Sequence, residues 1–79
     1  MITVLFFGPV AEQVGKNRLE IEFQAGMRLQ NLRDQLQGLY PEAFNMVSIA
    51  AVNGNHERDM SVTLQDHSEV VFMSKFSGG

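Results

Sequence analysis

Two apolar runs of strand length stand at opposite ends of this sequence, and they constrain the fold more than any other feature. Ile2-Thr3-Val4-Leu5-Phe6-Phe7 is apolar but for one threonine, and Glu69-Val70-Val71-Phe72-Met73 is apolar after its first residue. A strand with one wet face alternates apolar and polar side chains. A run that is apolar at both parities reads as a strand covered on both faces, which places it mid-sheet. Met1 to Phe7 and Glu69 to Met73 are therefore expected to be adjacent central strands. They run parallel if a helix crosses over between the two halves of the chain.

The intervening sequence supplies that helix. Gly8-Pro9 ends the first run, and Pro9 suits the first turn of a short helix because its missing N–H would be unpaired there anyway. Val10, Ala11 and Val14 make a small apolar stripe that Gly15 closes. Arg18-Leu19-Glu20-Ile21-Glu22-Phe23 alternates strictly, as a strand with one wet face does, and Ala25-Gly26 turns the chain. From Leu29 the period becomes helical: Leu29, Leu32, Leu36 and Leu39 form one stripe, expected to be core, and Gly38 and Pro41 mark its end. Arg28 stands where Ser, Thr, Asp or Asn would cap best. Ile49-Ala50-Ala51-Val52 is a short apolar strand, Asn53-Gly54 a hairpin turn, and Glu57-Arg58-Asp59 a short polar edge segment. The class is α+β. One main helix on one face of a mixed sheet is the β-grasp arrangement of ubiquitin-like domains, and its uncovered face must expose some apolar residues.

At 79 residues the chain is expected to be one domain, 1–79. It has no cysteine, which excludes disulfides, thiolate metal sites and cysteine nucleophiles. Net charge −3 with scattered lysines and arginines argues against a nucleic-acid footprint or an anionic membrane surface. No apolar run reaches the ~18–20 residues needed to span a membrane. The start lacks a basic leader, so no signal peptide and a cytoplasmic location are expected. His56 and His67 are expected in loops, too far apart in sequence and without cysteines to form a metal site. Ser61, Thr63, Ser68 and the acidic residues form no recognisable triad or carboxylate pair, so no catalytic side chain is expected.

The sequence closes on Ser77-Gly78-Gly79. Glycine has no Cβ, so such a segment enters a slot too narrow for side chains. The carboxylate of Gly79 is then the least hindered acyl group a protein can offer to an ATP-using partner. The bland alternative is a frayed end. Residues 74–79 are expected to be a flexible tail that extends when bound, with Phe76 free to contact a partner.

Taken in order, Val4-Leu5-Phe6-Phe7, the short helix ending Val14-Gly15, Leu29-x-x-Leu32-Arg33, Ala50-Ala51-Val52-Asn53, Asp66-x-x-Glu69-Val70 and Ser77-Gly78-Gly79 carry a resemblance. The chain resembles the small subunits of molybdopterin synthase, sulfur carriers related to the thiamine sulfur carrier. The family usually has Thr where Arg28 stands, a glycine at His67, a Pro-Pro pair at Ser74-Lys75, an aromatic residue at Met73 and an apolar one at His56.

The resemblance implies that Gly79 is adenylated and converted to a thiocarboxylate, and that Gly78, Ser77 and Phe76 are inserted with it into the large synthase subunit. It also implies that Met73 and His56 lie on the partner-binding face; Phe7, from the apolar area left on a one-helix sheet, and Lys75, at the start of the tail, are expected to bind partners with them. Those partners are the large synthase subunit, an adenylyltransferase similar to ubiquitin-activating enzymes, and a persulfide sulfur donor. No cofactor is bound; ATP is used by the activating partner. Two other functions share the Gly-Gly ending: a carrier for another product such as thiamine, and a ubiquitin-like modifier joined to lysine through Gly79. Thiamine carriers typically have a tight first hairpin in place of the Pro9–Asn17 helix and loop, which favours the molybdopterin reading.

Overall fold

The structure, a computed structural model, describes residues 1–75. Their elements in chain order are β1 (Ile2–Phe6), α1 (Gly8–Val14), β2 (Arg18–Ile21), α2 (Leu29–Leu39), α3 (Pro41–Asn45), β3 (Ile49–Val52), β4 (Asn55–Glu57) and β5 (Glu69–Met73). The strands form one sheet in the order β2-β1-β5-β3-β4. β1 and β5 lie side by side and parallel, with Val4 opposite Val70 and Phe6 opposite Phe72, as their apolarity predicts. Neither is at an edge. β2 flanks β1 and β3 flanks β5, both antiparallel. This is the β-grasp arrangement.

The core lies between one face of the sheet and the helices. Ile2, Val4 and Phe6 of β1 and Val70 and Phe72 of β5 meet Leu29, Leu32 and Leu36 of α2, all buried. β1 and β5 are not buried on both faces as expected. Their other parity, Thr3, Leu5, Val71 and Met73, is only half-buried. The reason is the layering: helices cover one face, and no element among the described residues covers the other.

Two further corrections concern the helices. Leu39 is 60% exposed, although it continues the stripe, and α2 ends there. α3 was not foreseen. Pro41 starts it at a position where the missing N–H costs nothing, and its Phe44 fills the core edge-on to Phe6 and Phe72, at centroid distances of 6.2 and 5.1 Å. The strand expected over Arg18 to Phe23 pairs only as far as Ile21, and Phe23 packs half-buried against the core.

The poor cap at Arg28 is compensated by tertiary bonds. The Leu29 and Gln30 N–H groups donate to the carbonyls of Val62 and Met60, at 3.0 and 2.8 Å, and the Asn31 side chain accepts from the Arg28 N–H at 2.8 Å. These satisfy first-turn donors that a cap residue would otherwise serve. At the β3–β4 turn, Asn53 and Gly54 take the left-handed conformation that a tight hairpin requires, with φ of 50° and 84°.

Candidate functional site

Side-chain alternation fixes what the uncovered face presents. In β1 the parity of Ile2, Val4 and Phe6 points to the helices, so Thr3 and Leu5 point away. Across the sheet, Leu5 stands opposite Val71, Val71 opposite Ala51, and Ala51 opposite His56. One row on, Met73 stands opposite Ile49. Phe7 follows β1 with extended backbone, φ −132° and ψ 155°, so it continues the outward parity beside Met73. The result is a contiguous apolar patch of Leu5, Phe7, Val71, Met73, Ile49 and Ala51. Phe7 is 49% exposed and the others are half-buried.

The patch has polar margins. On the β2 side, the Arg18 guanidinium donates to the Glu20 carboxylate at 2.9 Å, and the Thr3 hydroxyl donates to it at 3.2 Å. Arg18 first, then Thr3, hold the Glu20 carboxyl below its usual range. On the β4 side stands exposed His56. His56 is thus on a strand, not in a loop as expected. Phe7 is not a strand residue but the N-cap of α1, which explains why it is more open than its neighbours.

β5 carries the last described residues past this face. Beyond Met73, Ser74 turns inward and is only 6% exposed. The Ser48 N–H donates to the Met73 carbonyl at 3.1 Å, and the Lys75 N–H donates to Ser48 Oγ at 2.9 Å. The anchored chain therefore runs two residues further than the expected tail boundary at Ser74. Lys75 itself is exposed at the foot of the tail. The structure brings Phe7, Met73, His56 and Lys75 to one side of the molecule. Phe76, Ser77, Gly78 and Gly79 lie outside the described residues.

Leu5, Ile49, Ala51 and Val71 belong to the same patch and were not singled out from sequence. Their strands are apolar at both parities, so periodicity alone does not tell an outward residue from a core one. The strand pairing Leu5–Val71–Ala51–His56 is the signal that does.

No group of three or more His, Cys, Asp or Glu side chains among the described residues is placed to hold a metal ion. No helix among them is long and apolar enough to cross a membrane.

Residues 4–79 match the sequence pattern of the ThiS family. The molybdopterin synthase sulfur carrier subunit of Mycobacterium tuberculosis is 35% identical over 80 aligned residues, covering 99% of this chain and 96% of that protein. Among solved structures, SAMP1 of Haloferax volcanii superposes with a TM-score of 0.81 at 17% identity, covering 99% of this chain and 98% of that one. A protein–protein complex of subunits 1 and 2 of molybdopterin-converting factor from Helicobacter pylori contains a chain that superposes with a TM-score of 0.70 at 23% identity, covering 99% and 97%. At these identities the two structures show the shared fold.

Proposed function

The chain belongs to the ThiS family, and from that membership we propose that it is the sulfur carrier of a molybdopterin synthase, with Gly79 as its reacting group. The full-length likeness to a molybdopterin synthase sulfur carrier carries the reading. The α1 helix supports it further, since it occupies the connection that thiamine carriers close with a tight hairpin.

The chemistry starts at the Gly79 carboxylate. An adenylyltransferase joins it to AMP from ATP and releases pyrophosphate. The sulfur of a persulfide donor attacks the acyl carbon and AMP leaves. Cleavage of the resulting acyl disulfide by a thiol leaves a thiocarboxylate. That sulfur then passes to a pterin precursor in the large synthase subunit, and two carrier turns supply two dithiolene sulfurs. The chain contributes no acid or base of its own. Its contributions are a narrow terminal segment, a β5 strand tied to Ser48 that fixes where the segment leaves, and an apolar patch beside it for docking. The complex described for the Helicobacter pylori subunits is the model for that docking.

The test is deletion of Gly79. It displaces the carboxylate by about one residue, ~3.3 Å, and a misplacement of even ~1 Å can cost ~100-fold in rate. Sulfur transfer in the reconstituted system is expected to vanish while the unfolding midpoint stays put. Undiminished transfer by the truncated chain contradicts the assignment of Gly79.

A further inference from the structure

A groove of about 650 Å³ opens at the β3–β4 end of the sheet, beside α2. Its floor is apolar, with half-buried Val47, Ile49 and Met60. Its rim is basic. Arg33, Arg58 and Lys75 line it together with His56, and Glu57 is the one acidic residue there. The whole chain carries six Lys and Arg against nine Asp and Glu. Half of its cations therefore border one groove, with one of its nine anions, in a protein whose net charge is −3. A local excess of one sign over an apolar floor raises the local concentration of the opposite charge.

The groove is continuous with the docking patch and with the root of the tail. Ile49 of the patch and His56 at its margin also line the groove, and Lys75 is the last described residue before the Gly-Gly end. β4 is also an edge strand, so its outer backbone groups are available for an extended chain to pair with. Arg33 is held in place rather than swinging free: its guanidinium donates to Gln37 Oε1 at 2.9 Å and to the Phe44 carbonyl at 3.4 Å, and lies 6.0 Å from the Phe44 ring centroid.

We propose that this groove binds an extended acidic segment of the protein that receives the tail, with apolar side chains on the Val47–Met60 floor and carboxylates toward Arg33 and Arg58. The sulfur-carrier reading enters only in naming which protein bears the segment. The groove becomes a second contact, beside the apolar patch, that sets orientation and association rate through charge.

The test has two arms. In the first, the isotope-labelled chain is titrated with a peptide of about ten residues alternating glutamate and valine, which reaches ~33 Å when extended. A twin with glutamine for glutamate is the control. Saturable amide shifts are expected at residues 47–50 and 56–60. Binding should fall about five- to tenfold for the glutamine twin and for Arg58→Glu, and fall again as salt is raised. No saturable shift, equal binding of the twin, or shifts centred on Leu5 and Val71 overturns the proposal. In the second arm, the affinity of the large synthase subunit is measured for the wild type and for Arg58→Glu. A similar five- to tenfold loss is expected, and an unchanged affinity overturns the proposal. If the large subunit binds neither form, the sulfur-carrier reading fails, and the peptide arm still decides whether the groove takes an acidic chain.

Discussion

His67 sits at φ +69°, in the left-handed region that residues with a Cβ rarely adopt. Its N–H donates to the Met1 carbonyl at 3.0 Å, so the strained turn is what ties the β1 start to the approach of β5. The resemblance points to this place, since the family it names usually has a glycine there. Left-handed geometry costs a non-glycine residue ~1–2 kcal/mol, and glycine returns ~0.5–1 of that through its freer unfolded chain. His67→Gly is therefore expected to gain roughly 0.5 kcal/mol in denaturant unfolding. A loss would mean that the imidazole contributes more than its 3.6 Å contact with Asp66 shows. Next to it, the Met1 ammonium donates to Asp66 at 2.7 Å. That hydrogen bond, with smaller help from His67, lowers the Asp66 pKa from its ordinary 3.8. A carboxyl depressed in the folded state contributes stability that is present above 3.8 and lost as pH falls through the lowered value. The difference in unfolding midpoint between the wild type and Asp66→Asn is thus expected to shrink below that pH; a difference that grows there contradicts the pairing.

Among the elements, α2 shows what periodicity can and cannot deliver. The stripe Leu29, Leu32, Leu36 is buried as read, yet Leu39 continues the same period and is exposed. Period locates a face; only the length of the partner surface tells where the face stops being covered. Leu32→Ala and Leu36→Ala are expected to cost ~2–5 kcal/mol, and Leu39→Ala less than ~0.5. Comparable losses at Leu36 and Leu39 would contradict the exposure of Leu39. α3 was illegible for a different reason. A five-residue helix spans little more than one turn, too short for a stripe, and Pro41 looked like a terminator when it is also a starter. Phe44 is its only large core side chain, and Phe44→Ala should cost ~3–5 kcal/mol by denaturant unfolding.

For the molecule as a whole, one layer of helices on one face of a five-stranded sheet decides where function can sit. The pairing of β1 with β5 was legible because both runs are continuously apolar. The outer patch was legible only in part: Phe7 and Met73 were singled out, while Leu5, Val71, Ile49 and Ala51 needed the register. Phe7 gives the cleaner probe of docking, since it is half-exposed at an N-cap, where Phe7→Glu meets a favourable helix end. The substitution is expected to weaken binding of the large synthase subunit while changing stability by less than ~0.5 kcal/mol. Unfolding by Phe7→Glu would move Phe7 into the core and the interface elsewhere. Whether Gly79 carries sulfur is read from the intact mass of the chain isolated from cells making molybdopterin. A population in which one terminal oxygen is replaced by sulfur is expected. A terminus that stays a plain carboxylate, or one recovered only as an adduct on lysine, contradicts it.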